Sequence, residues 1–227
     1  TNPGWVPPSE FQKSYLTIPG FYLRAGIYFA VWILLALLLN RWSKAQDANA
    51  RDLALRRRLQ LVRGPGIVLY AFTVTFASVD WVMSLSPQWN STIYGFLFVA
   101  GQVISAMCLT IIVIVLLART EPMSQVLQPR HLHDLGKLLL AFVMLWAYFS
   151  FSQLLIIWSG NLPEEITFYR ARLAGSWGYV AGALLLFHFA LPFFLLLSRD
   201  VKRSAKVLPI LAAVIIAMRY VDLYWIC

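Results

Sequence analysis

Polar residues in this chain fall in short clusters, and between them lie apolar runs near the bilayer-crossing length of about 20 residues. The clearest case is Ile67–Leu117, two apolar runs joined by the short polar turn SLSPQWNS. The first run holds one acid, Asp80, inside FASVDWVMSL, and the second, IYGFLFVAGQVISAMCLTIIVIVLLA, holds no formal charge. The same pattern along the whole chain predicts six spans: Phe21–Leu39, Ile67–Leu85, Ile93–Ala118, Leu138–Trp158, Ala174–Leu197 and Val207–Ile226. The expected fold is therefore all-α, a polytopic transmembrane helical bundle forming one domain over residues 1–227.

The connecting segments differ in character. Thr1–Gly20 is rich in proline and aromatics (WVPPSEFQKSYLTIPG) and reads as an irregular interfacial segment. Within Asn40–Arg63, the stretch DLALRRRLQLVR suits a basic helix on the membrane surface, ended by Gly64-Pro65-Gly66, where the second span opens. Its charge serves topology, or binds anionic lipid or a partner subunit. The turn Ser86–Thr92 holds Pro87 and Trp89, and GNLPEEITFYRARL, with the adjacent acids Glu164 and Glu165, reads as a loop. In the fifth span, Gly178 and Gly182 form a GxxxG pattern that admits a close neighbouring backbone. Pro192, four residues after His188, removes the amide that would bond the His188 carbonyl and favours a kink.

Composition agrees with a membrane assignment: 60% of residues are hydrophobic and only 13% charged, against about 25% charged in soluble domains. The net charge of +9 is explained by where the cations lie, with no nucleic-acid partner implied. Arg41, Lys44, Arg51, Arg56, Arg57, Arg58, Arg63, Arg119, Arg130, Lys137, Arg199, Lys202, Arg203 and Lys206 fall in alternate loops. Only Lys13, Arg24, Arg170 and Arg172 fall on the other side. This bias orients the basic loops to the cytoplasm and places residues 1–20 and 159–173 on the outer side. Cys108 and Cys227 form no CxxC, haem-attachment or zinc spacing, and Cys108 is most simply a small core residue. Among the histidines only His188 lies in a span, so neither a haem held between two histidines nor a metal is expected in this chain. The beginning TNPGW and the apolar end YWIC suggest a segment of a longer polypeptide.

The candidate chemistry is the set of polar groups inside the spans. A carboxylate in hydrocarbon costs at least about 2.5–3.5 kcal/mol, so Asp80 must be neutral, paired or cavity-facing. Arg219 and Asp222 sit three apart on one helix face. Helix rise places Asp80, Arg219, Asp222, Gln102 and Gln153 in the outer half of their spans. They form an internal salt-bridge set, with Arg219 neutralising Asp222 or Asp80, or they exchange protons with the outer space. His188, nearer the middle, is a packing histidine or a relay between inner and outer polar layers. His131, His133 and Asp134 lie at the inner mouth. They read as a solvated helix start capped by Asp134, or as an inner proton inlet. No nucleophile–base pair, metal-ligand cluster or phosphate loop is present in the sequence, so chemistry by this chain alone is not expected.

Three strings carry a resemblance: FASVDWVMSLSPQWNSTIYGFLFVAGQ (76–102), HDLGKLLLAFVMLWAYFSFSQLLIIWSGNLPEE (133–165) and FHFALPFFLLLSRDVKR (187–203). They resemble the ActF-type membrane subunit of alternative complex III, in the NrfD/polysulfide-reductase family. The resemblance covers most of Ile67–Cys227 and is less distinctive before it. It implies a longer subunit with further spans, within a quinol:electron-acceptor oxidoreductase. This chain would hold no redox centre. A menaquinol-type lipid would be oxidised beside an ActC-like partner, and electrons would leave through iron–sulfur clusters and c-type haems on other subunits. The role left for this subunit is scaffold or proton conductor, with Asp80 and His188 the first candidates on a proton path and Arg219 and Asp222 the next. A secondary transporter is the alternative from another class, since such sites favour broken helices near the midplane.

Overall fold

The computed structural model describes residues 10–48, 52–86 and 89–226. The first part of the Thr1–Gly20 segment, Arg51, Pro87, Cys227 and the side chain of Glu164 lie outside the described residues. Among the described residues the chain is all-α, with no strand, and has six helices long and apolar enough to cross a membrane. It divides into two compact units, the first ending at Gln88 and the second running from Trp89.

The first unit contains α1 (Glu10–Tyr15), α2 (Ile18–Ala48) and α3 (Leu53–Trp81), followed by a short 3₁₀ turn, Met83–Leu85. The expected irregular entry is shorter than the sequence suggests, because α2 starts at Ile18 and runs through Pro19, where a proline in the first turn withholds no helical hydrogen bond. Asp52 caps α3, its side chain accepting from the amides of Ala54 (2.9 Å) and Leu55 (3.2 Å). The expected stop at Gly64-Pro65-Gly66 does not occur. Pro65 lies inside α3, which joins the basic segment and the second span into one helix of 29 residues. A proline costs one backbone hydrogen bond, and the long apolar continuation outweighs it. Aromatic rings knit α2 to α3: Trp81 packs against Tyr28, Phe29 and Trp32, and Trp32 donates to the Thr73 hydroxyl at 2.9 Å.

The second unit contains α4 (Tyr94–Leu117), α5 (Met123–Val126), α6 (Pro129–Gly160), α7 (Pro163–Leu173), α8 (Trp177–Ala183), a π-helical turn (Leu184–Ala190), α9 (Leu191–Leu197), α10 (Arg199–Arg203) and α11 (Val207–Ile226). α4 lies at its centre, packed against both α6 and α11. The core between them is built from side chains such as Ile104, Cys108, Leu139, Leu211 and Ile215, all nearly inaccessible. Cys108 is thus the small core residue the sequence suggested.

Two boundaries differ from expectation for local reasons. α6 begins at Pro129, well before Leu138, because Gln128 and His131 form a capping box. Asp134 is therefore not the cap: it lies inside the helix and pairs with Lys137 at 3.1 Å. The PEEITFYRARL segment is helix α7 rather than loop. Asn161 in the left-handed region ends α6, and Pro163 opens α7. The fifth span is α8, the π turn and α9 in succession. The Leu191 amide bonds back five residues to the Leu186 carbonyl, just before Pro192. The proline expected to kink this span is accommodated by a widened turn around His188.

Candidate functional site

Within the second unit, four spans contribute to one buried polar cluster. Arg219 and Asp222 face the same side of α11, one turn apart, and are 3% and 2% exposed. The Arg219 Nη1 donates to the Asp222 Oδ2. The same oxygen accepts from the indole Nε1 of Trp146 on α6 at 3.2 Å. α4 makes room for the guanidinium by having no side chain at Gly101, where a methyl group would overlap Arg219. One turn earlier on α4, the Phe98 ring lies 5.7 Å from the Arg219 Cζ. The fifth span supplies His188, fully buried and edge-on to Trp146, with ring centroids 4.4 Å apart. Neither His188 nitrogen makes a hydrogen bond of normal geometry; Arg219 and the Ile215 backbone are the polar groups that act on its ring. The arrangement is a contiguous set, His188 against Trp146, Trp146 onto Asp222, and Asp222 with Arg219.

Asp222 also lines a cavity of about 690 Å³ within this unit. Most of the wall is apolar or aromatic, and Trp146, Gln153, Tyr169 and Asp222 give it polar points. Trp89 and Phe168 stack in the wall at 3.9 Å. Arg172 fastens α7 to the end of α11, donating to the carbonyls of Trp225 (3.0 Å) and Ile226 (2.7 Å). Tyr169, beside it on α7, has its phenol pushed up from the ordinary value by burial. Gln153 is buried and its Oε1 accepts from Ser91 at 2.8 Å. Gln102, next to Gly101, is half-buried. Among the described residues of this chain, the GxxxG pattern meets no neighbouring helix closely. Both glycines line the cavity, nothing lies within 4 Å of a methyl placed at Gly182, and a methyl at Gly178 meets only the Leu173 carbonyl at 3.1 Å.

Asp80 belongs to the first unit and finds its partners there. Its Oδ2 accepts from Arg24 Nε and from the Tyr28 hydroxyl, both at 2.8 Å, and the residue is 2% exposed. Its Oδ1 is buried with no hydrogen bond to a described residue. Arg24 is held in turn by the Tyr15 carbonyl (2.9 Å), and its guanidinium lies 3.9 Å above the Tyr15 ring. Outside the spans, the Tyr15 phenol is raised above its ordinary value by burial and by the Asp80 charge. The sequence left Arg219 to neutralise Asp222 or Asp80. It serves Asp222, and Arg24 serves Asp80.

At the start of α6, the Nδ1 of His131 accepts the Gln128 amide at 3.2 Å and so completes the cap of that helix. His133 is half-buried, and its Nδ1 has no partner among the described residues. No three His, Cys, Asp or Glu side chains among the described residues group to hold a metal ion.

Sequence reasoning missed Arg24, Tyr28, Trp146 and Gly101. A signal existed for the first two. Arg24 is the one cation in LRAGIYFAVW and Tyr28 stands four residues on, on the same helix face. Trp146 and Gly101 had none, since an apolar tryptophan and a glycine beside a glutamine carry no mark of the arginine they face.

No family model matches this chain, and no curated protein matches it. What the fold defines is an integral, multi-pass helical membrane protein with, among the described residues, a buried Arg219–Asp222 pair and a part-buried Arg24–Asp80 pair.

Proposed function

We propose that the chain is a membrane subunit of a quinol-oxidising electron-transfer complex, without a redox centre of its own, and that its second unit handles protons released there. The observation that carries this reading is a buried aspartate, Asp222, that both holds an ion pair with Arg219 and opens onto a cavity. A carboxylate with one foot in a salt bridge and one in a cavity is a group able to gain and lose a proton inside hydrocarbon. Arg219 lowers the cost of the charged state, Trp146 fixes the carboxylate orientation, and His188 adds a second titratable ring behind the indole. The partners under this reading are an ActC-like quinol-binding subunit, an iron–sulfur subunit and c-haem subunits, in a bacterial inner membrane with the basic loops cytoplasmic. The motif strings quoted above support the choice of complex.

Affinity purification of the tagged chain from its native membranes tests the assignment. Co-purification of c-type haem and quinol oxidation by the eluate is expected; isolation without either overturns it. In the assembled complex, the paired change Asp222→Asn with Arg219→Gln, which strands neither buried charge, is expected to slow proton release while leaving subunit content unchanged. Proton release equal to wild type ends the proton-handling reading.

A scaffold role is favoured for the first unit by a specific observation. Asp80 is sealed by Arg24 and Tyr28, an arrangement suited to holding α2 on α3. Asp80→Asn then impairs assembly rather than proton release.

A further inference from the structure

The basic end of the second unit contains a cation cluster that the reading above does not use. α6 carries His133, Gly136 and Lys137 at spacings of three and four, on one face. Gly136 is buried, and a methyl placed there would lie 2.8 Å from the Cγ of Lys202 and 3.3 Å from its Cδ. The aliphatic stem of Lys202 therefore rests directly on the α6 backbone. Lys202 comes from α10 and is 7% exposed, which is rare for a lysine without a partner. No hydrogen bond or ion pair joins its ammonium to any described residue.

The surrounding charges leave it uncompensated. Lys137, Lys202 and Arg203 all act on the His133 ring, and Asp134 is the one acid that does. Asp134 is already paired with Lys137, both exposed. Asp200, the acid of α10 itself, is exposed and pairs with no described residue. The Lys202 stem, seated on Gly136 one turn from His133, brings that cation toward the His133 Nδ1, which has no partner among the described residues; Arg203 follows it on α10, and the nearby acid, Asp134, is engaged by Lys137. Exposed apolar side chains adjoin α10 in the chain on both sides: Leu197 at the end of α9 and Val207 at the start of α11.

We propose that His133, Lys202 and Arg203 bind the phosphate of an anionic membrane phospholipid, whose acyl chains run along Leu197 and Val207. An arginine fork and an ammonium suit a phosphodiester, and basic pockets at the ends of transmembrane helices take such headgroups. The adjoining apolar side chains favour a lipid over a free ion. The inference is independent of the redox assignment.

The test is native mass spectrometry of the delipidated protein in detergent, titrated with phosphatidylglycerol, with phosphatidylcholine, and with inorganic phosphate as competitor. Saturable binding of phosphatidylglycerol is expected, with phosphatidylcholine weaker and inorganic phosphate unable to displace the lipid. Lys202→Met should weaken binding about fivefold, and Lys202→Met with Arg203→Gln about 25-fold. Lys206→Met, an exposed cation of the same loop, should change nothing. Equal binding by wild type and Lys202→Met overturns the proposal, as does equal binding of the two lipids. Displacement by inorganic phosphate replaces the lipid with a free-anion site and overturns it too. Should Lys202→Met not fold, Arg203→Gln, at an exposed position, must alone weaken binding about fivefold, and unchanged affinity refutes the site.

Discussion

Gly101 and Gly182 lie in the same unit, and one methyl group should have opposite consequences at the two positions. A Cβ at Gly101 would occupy space taken by the Arg219 guanidinium; a Cβ at Gly182 would meet nothing within 4 Å. Gly101→Ala therefore has two ways to respond. If Arg219 stays and the helices part, the overpacking costs about 1–3 kcal/mol. If Arg219 is pushed off Asp222, the buried carboxylate loses its cation, a loss of about 3–5 kcal/mol. Arg219 is 3% exposed and wedged between α4 and α11, so the larger figure is the one expected. At roughly 2–4 °C per kcal/mol for a chain of this size, Gly101→Ala should lower the melting temperature by about 6–20 °C. Gly182→Ala, on a helix, should be neutral or slightly stabilising. Thermal unfolding of the purified protein in one detergent measures both. A double-mutant cycle locates the cause: with Arg219→Met and Asp222→Asn in place, Gly101→Ala should cost less than half as much. Equal melting temperatures for wild type and Gly101→Ala would refute the account of Arg219 as seated on the α4 backbone. So would an undiminished effect in the cycle.

Two further outcomes follow from the same reasoning. Arg24→Gln alone strands the buried Asp80 and should destabilise the first unit by about 3–5 kcal/mol, whereas Arg24→Gln with Asp80→Asn should recover much of it; thermal melts of the three variants decide, and an additive double variant contradicts the pairing. Tyr169 is held protonated by burial above its ordinary range, so the stability it supports is complete below about pH 10 and declines as the pH rises beyond that, where the unfolded phenol ionises first. Alkaline melts should therefore fall less steeply in Tyr169→Phe than in wild type, and parallel curves would show the phenol to be freely solvated.

The fold class and all six spans were legible because apolar run length is set directly by bilayer thickness. The start of the last span at Val207 was read to the residue, since the charged loop SRDVKRSAK bounds it. Helix ends elsewhere were not legible. A bilayer signal stops where the hydrocarbon stops, while α3 and α6 continue into water on local capping, by Asp52 and by Gln128 with His131. The polar residues of the cluster were legible one by one, because each is costly in oil. Their pairing was not. Asp80 and Arg24 stand 56 residues apart, and Trp146 and Asp222 stand 76 apart. Spacing alone left Arg219 open to Asp222, three residues on, while nothing in the sequence joined Arg24 to Asp80.

The uninterrupted passage of α3 through Pro65 gives the first unit a stiff shaft. Arg56, Arg57 and Arg58 sit at one end and Asp80 at the other, about 35 Å away at helical rise. Because the helix is continuous between them, a displacement of the arginine end is carried toward the carboxylate along a single element. The grip of Arg24 and Tyr28 on Asp80 then resists it.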